Sequence, residues 1–229
     1  MSTSGTYSFG PSSGEVVLLA LSRCQVRRAA ILQEHLTDAR METNLMLVDW
    51  ANRGGPNLWK VDLVTQALTQ GTATYNVDPQ TIMILDAYIE YGSPATDRLI
   101  FPISRTEYAS YPDKTIQNVP TVFWFDRLIA PTITLWAAPD GNGPYALKYY
   151  RVTQIQDANL PSGETPEIPY RWYDAFASGL TARMAAIYKP DIAPYWDTKA
   201  ERAWAVAGTN DVENVGLYIT PGLAGYFSQ

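Results

Sequence analysis

His35 is the only histidine and Cys24 the only cysteine in 229 residues, so the chemistry open to this chain is narrow. A Ser–His–Asp relay, a Cys–His pair or a multi-histidine zinc site would have to be built around one imidazole. An intrachain disulfide and any site made of several cysteine ligands are excluded. His35 falls near the polar boundary of a helical pattern, which reads as a surface or interface histidine rather than a ligand. Cys24 falls on the apolar side of the same pattern. No base or second cysteine is placed to activate it, so it reads as a packed small hydrophobe. Among the carboxylates, Asp191 and Asp197 lack the spacing of a calcium loop. Asp86 and Glu90, two residues either side of Tyr88, could share one face of a strand as a glycosidase-like pair, although such pairs are common by chance. There is no P-loop, no GxGxxG after a strand, no GxSxG elbow and no HExxH. No catalytic residue, cofactor or metal site is assigned, and the chain reads as non-enzymatic.

Three arginines invite a different role. Arg28 lies close to the apolar face of the first helical pattern, as a paired or interfacial guanidinium would. Arg105 and Arg127 flank strand patterns. Their bland reading is salt bridging, and their functional one is contact with a neighbouring subunit or a DNA channel. The net charge of -6 argues against gripping nucleic acid through its phosphates, which needs clustered Lys and Arg. A conduit has the opposite need, since a wall that binds phosphates would stall a passing duplex. Apolar residues at 46% and charged residues at 17% describe a folded chain. Seven Trp and fifteen Tyr fit either protein interfaces or a β-rich core. No stretch reaches the roughly 18–20 apolar residues that span a bilayer. The opening MSTSGTYSFGPSSG lacks the basic and apolar regions of a signal peptide, so synthesis in a cytoplasm is expected.

The elements that would position these groups follow from periodicity and breakers. Residues 1–13 are small and polar and read as a flexible arm. Helical spacing runs from Ser13, as N-cap, to about Asp38, with Val17, Leu18, Leu21, Cys24, Ile31 and Leu32 on one face. A second helix covers Glu42 to Asn52 and ends at Gly54-Gly55-Pro56. Strand patterns follow at residues 60–70, 73–77, 82–91, 122–125, 132–136 and 146–152, separated by proline and glycine turns, with a short helix or turn at 103–114. Closely spaced short strands of this kind indicate an antiparallel sheet or small sandwich. Helix returns from Pro169 to Tyr188 and again from Ile192 to Ala207. The class is α+β: an α-helical bundle from both chain ends (14–59 and 166–207) with an inserted antiparallel β domain (60–157). Residues 208–229 hold too many glycines for a core and too many apolar residues for an idle linker. They read as an extended C-terminal arm that docks on a neighbour or as a tail packed on its own domain.

Three ordered stretches resemble the head-to-tail adaptor (connector) proteins of tailed bacteriophages. Glu42-Thr43-Asn44-Leu45-Met46-Leu47-Val48-Asp49-Trp50, through Gly54-Gly55 to Asn57-Leu58-Trp59, is similar to that family's second helix and its glycine-ended exit. Gly71-Thr72-Ala73-Thr74-Tyr75-Asn76-Val77-Asp78-Pro79 with Thr81-Ile82-Met83-Ile84-Leu85-Asp86-Ala87 resembles the hairpin that opens the family's β region. Pro102-Ile103-Ser104-Arg105-Thr106-Glu107-Tyr108, Lys114, Pro120, Trp124-Phe125-Asp126-Arg127, Pro131, Leu135-Trp136 and Pro139-Asp140 form the most specific stretch. Asp157, Pro169, Arg171, Trp172 and the helix to Tyr188 continue it. The match covers roughly residues 15–190. It departs at Asn118-Val119, where the family usually has a glycine shortly before the proline, and it does not reach the C-terminal arm.

The resemblance implies a homo-oligomeric ring, commonly of twelve subunits, in the neck of the virion. Its partners would be the portal protein above, a downstream tail or nozzle protein below, and passing double-stranded DNA bound without sequence specificity. No membrane is involved. Such a ring retains packaged DNA until ejection and gives the tail its platform. Portal docking would fall to Tyr218, Ile219, Pro221, Leu223, Tyr226 and Phe227, and subunit or channel contacts to Arg28, Arg105 and Arg127. The alternatives are another phage tail-tube, tail-completion or minor head protein and, less favoured, a glycan hydrolase using Asp86 and Glu90.

Overall fold

Both helices and strands are present in the computed structural model, which describes residues 4–53, 58–159 and 163–211. The first helix, α1 (Ser13–Arg23), is started by Ser12 rather than Ser13. Ser12 Oγ accepts from the Glu15 N–H at 3.2 Å and Glu15 accepts from the Ser12 N–H at 2.8 Å, a reciprocal capping box. The helical pattern does not run on to Asp38. Gln25 adopts φ +63°, Gln25 N–H donates to Ser22, and Val26 N–H donates to Leu21, which closes the helix with a left-handed cap. Arg28 therefore sits in a short 3-10 turn, exposed, and not beside the apolar face of a helix.

The second helix, α2 (Gln33–Asn52), begins nine residues before the expected Glu42. Leu32 supplies no capping oxygen, and instead His35 Nδ1 accepts from the Leu32 N–H at 3.0 Å. Near the other end of the chain lie α4 (Tyr173–Tyr188), preceded by a 3-10 turn at Tyr170–Trp172, and α5 (Ala193–Thr209). The last runs two residues into the stretch expected to form the arm. Helix α4 is the hub, packed against α1, α2 and α5. Small residues Ala175, Ala177, Ser178, Ala182 and Ala185 on it are buried and let the neighbours approach closely. At Gly179 a Cβ would meet Met46 Sδ of α2 at 2.6 Å, so that crossing accepts no side chain without repacking. Trp172 sits where these helices meet, 5.3 Å from the Trp50 ring and 5.2 Å from Trp59, with Trp204 at 6.3 Å.

The strands are β1 (Val61–Ala67), β2 (Thr74–Asn76), β3 (Thr81–Tyr91), β4 (Thr96–Pro102), β5 (Val122–Asp126), β6 (Thr132–Trp136) and β7 (Tyr145–Thr153); the short helix α3 (Arg105–Ser110) lies between β4 and β5. They form one seven-stranded sheet in the order β1-β7-β3-β4-β5-β6-β2. The expected antiparallel sheet is mixed, because Phe101 and Pro102 of β4 pair in parallel with Val122 and Phe123 of β5. The crossover through α3 returns the chain in the same direction, which a tight hairpin cannot do. The expected hairpin of β2 with β3 is also absent: β2 pairs with β6, and β3 pairs with β4 and β7.

The sheet curls so that both halves share one core. Ala87, Ile89, Ile100, Phe123, Ile133, Leu135, Leu147 and Tyr149 are all buried in it. The two edge strands come together where Tyr75 Oη accepts from the Thr69 N–H at 2.9 Å. A second cluster, built from the helices, holds Val17, Leu21, Cys24, Met46, Trp50, Trp172, Phe176, Leu180 and Met184. Helices and strands thus bury their apolar faces in separate cores.

Candidate functional site

The most specific motif stretch folds into an aromatic clamp on the outside of the sheet. Ser104 caps α3 by accepting from the Glu107 N–H at 3.1 Å, and Tyr108 on that helix packs 5.6 Å from Trp124 of β5. Tyr111 lies flat on Trp136 of β6, with ring centroids 4.2 Å apart and planes 4° apart. The Trp136 indole N–H donates to the Asp113 carbonyl at 2.8 Å. Lys114 donates to the carbonyls of Ala109 and Tyr111 and lies 5.6 Å from the Tyr108 ring centroid. Tyr108, Lys114, Trp124 and Trp136, far apart in sequence, are brought to one place. Their evident work is to hold the crossover onto the sheet.

The three singled-out arginines lie on different elements. Arg28 lies in the 3-10 turn between α1 and α2, Arg105 opens α3, and Arg127 follows β5. All three are exposed and none forms an ion pair among the described residues. Ion pairing falls elsewhere. Arg151 of β7 forks onto Asp62 of β1 at 2.8 and 3.1 Å, and its remaining nitrogen reaches Thr81 and Asp78, each at 3.0 Å. Arg53 at the end of α2 joins Asp49 to Glu201 of α5 and lies over Trp204. Arg171 is bound to the buried carboxylate of Asp211, where α5 ends.

The candidate chemical groups sit in structural roles. His35 lies against Tyr188 at 4.8 Å between centroids, and Tyr188 donates to Asp38. Burial and that carboxylate push the Tyr188 phenol up to about 12. Cys24 is buried in the helical core against Thr181, and burial pushes its thiol up to about 11. Asp86 is exposed at an irregularity of β3, where two residues of that strand stand between Ile84 and Ala87 against one of β7. Glu90 is taken by Lys148 of β7. Among the described residues no three or more His, Cys, Asp and Glu side chains gather as metal ligands, and no helix is long and apolar enough to cross a membrane. Tyr218, Ile219, Pro221, Leu223, Tyr226 and Phe227 lie outside the described residues.

Apolar surface that the fold leaves uncovered is the feature that residue-by-residue searching for chemistry missed. Helix α2 is apolar on two sides. Thr43, Met46, Leu47 and Trp50 face the core, whereas Met41, Leu45 and Val48, spaced as a second stripe, remain exposed. On α5, Tyr195 and Val206 are exposed beside Lys199 and Arg202. The loop between β5 and β6 carries Leu128, Ile129 and Ala130 in a row, all exposed. A turn is ordinarily built from Gly, Asn, Asp or Ser, so an apolar run there points to a partner. Its sequence signal was available: branched aliphatic residues standing between two strand patterns just before Pro131.

Comparison with known protein families and with curated proteins finds no match to this chain.

Proposed function

We propose that this chain is a structural subunit of the neck of a tailed bacteriophage, a ring-forming adaptor that docks on the portal and carries the tail. The uncovered apolar surface on α2, on α5 and at the β5–β6 loop carries the reading. A chain that keeps apolar stripes on separate faces, after two filled cores, is built to be covered by other chains. Faces of different composition favour a heterologous, head-to-tail contact, the kind that closes into a ring. The ordered resemblance over residues 15–190 supplies the phage neck as the place. In this reading the residues after Asp211 contact the portal, Arg28, Arg105 and Arg127 belong to subunit or channel surfaces, and the acidic chain leaves DNA free to pass.

Electron microscopy of particles carrying a label on this chain tests the proposal. Density for a labelled ring between portal and tail is expected. Label confined to the capsid shell, the tail tube or the fibres overturns it, and a position in the tail tube would favour a tail-tube or tail-completion protein.

A further inference from the structure

We infer that the β5–β6 loop of one copy inserts into the groove between α1 and α2 of a second copy, forming the head-to-tail contact of the assembly. The inference rests on the proposed ring and names the surfaces that close it.

The knob is the loop 127–131. Ile129 is 100% and Leu128 59% exposed, so Ile129 projects fully from the sheet and Leu128 leaves more than half of its surface open. Burying such a tip in a partner removes apolar surface from water at little ordering cost, because the flanking strands already hold it. The hole is a groove of about 360 Å³ with Val17 and Leu18 of α1 on one side and Leu36 of α2 on the other. Val17 is buried, whereas Leu18 and Leu36 are half-buried and leave part of their aliphatic surface open. The space suits branched aliphatic side chains.

Charges at knob and hole choose a second copy as the occupant. Asp126 and Arg127 lie side by side at the base of the loop. Arg40 lines the groove. None of Asp126, Arg127 and Arg40 forms an ion pair among the described residues. Asp126 of one copy can therefore pair with Arg40 of the next when the loop enters the groove. One chain thus carries a knob and a hole of matching character at different places, one on the sheet and one on the helices. A contact between them is heterologous and propagates from copy to copy.

Assembly of the full chain in the presence of portal, read by mass and by cross-linking, tests this. Copies bearing Ile129→Cys mixed with copies bearing Leu18→Cys should form a covalent dimer on oxidation, and neither should do so alone. Asp126→Arg and Arg40→Asp should each lower assembly at least tenfold, and combining the two in one chain should restore it. That rescue separates a lost contact from a lost fold. Rings that still form when Leu128 and Ile129 are both replaced by Ser, with no cross-link between the two cysteine variants, overturn the inference but leave the ring reading standing. Loss of portal binding with rings intact also overturns it, since the loop would then serve the portal. A wild-type chain that forms no assembly with portal present overturns both.

Discussion

Removing the Arg151 guanidinium should loosen the sheet at the place where three separate segments meet. Arg151 is on β7, Asp62 on β1, Thr81 opens β3, and Asp78 lies in the link between β2 and β3. The side chain is 12% exposed and makes a two-pronged bond to Asp62 plus single contacts to Asp78 and Thr81. A fully buried pair broken on one side costs about 3–5 kcal/mol. That full figure does not apply, because the orphaned carboxylates are 52% and 45% exposed and can take up water. Arg151→Ala should therefore cost about 2 kcal/mol, which lowers the melting temperature by about 4–8 °C for a chain of this length. Arg151→Lys keeps the charge but not the fork and should cost about half as much. The pH dependence carries a sign. The backbone N–H of Gln80 and the Arg151 guanidinium hold the Asp78 carboxyl below its ordinary range. A depressed carboxylate adds stability above its unfolded value, and this is lost as pH falls through the folded one. Wild type should thus lose stability on acidification more steeply than Arg151→Ala, while the Gln80 bond keeps part of the slope in both. Differential scanning calorimetry between pH 3 and 7 measures both effects. A melting temperature within about 1 °C of wild type, or equal acid slopes, would refute the reasoning.

Other perturbations have equally definite outcomes. Gln25→Gly should raise stability by about 0.5–1 kcal/mol, because Gln25 occupies a left-handed cap that glycine adopts without strain; chemical denaturation reads the change. Trp172→Ala should cost about 3–5 kcal/mol and dim the tryptophan emission difference between folded and unfolded chain, since Trp50, Trp59 and Trp204 all pack on that ring. The Cys24 thiol, buried and raised to about 11, should resist a thiol reagent at pH 8 in the native chain and react fully in denaturant. Deleting residues 212–229, which spares α5 and the Arg171–Asp211 pair, should leave a folded chain that, in the proposed neck assembly, no longer holds the portal; unfolding of the truncated protein would mean instead that the segment packs on its own domain.

What the sequence made legible divides along physical lines. Strands with period-2 patterning between strong breakers were readable, and β6 falls on Thr132–Trp136 as expected. Strand β4 was not, since Thr96, Asp97, Arg98 and Leu99 are all exposed and only Ile100 is buried, leaving no alternation to see. The break after α1 was hidden because glutamine, not glycine or asparagine, takes the left-handed position. The start of α2 was hidden because Leu32 caps nothing and His35 does the capping from inside the helix. Pairings such as parallel β4–β5 depend on where α3 returns the chain, which no local pattern states. Site reading fared unevenly for a related reason. Tyr108, Lys114, Trp124 and Trp136 were singled out through resemblance, and the structure gives their contact a packing cause. Arg28, Arg105 and Arg127 were singled out by their places beside helix and strand patterns, and each lies on a different element, exposed and without an ion pair among the described residues.

The account turns most directly on whether this chain closes into a ring against the portal, and one mass measurement of the purified full-length chain, alone and mixed with the portal protein of the same phage, decides it. The account predicts a discrete complex in which many copies of this chain sit on one portal ring. A chain that stays monomeric and elutes apart from the portal would contradict it.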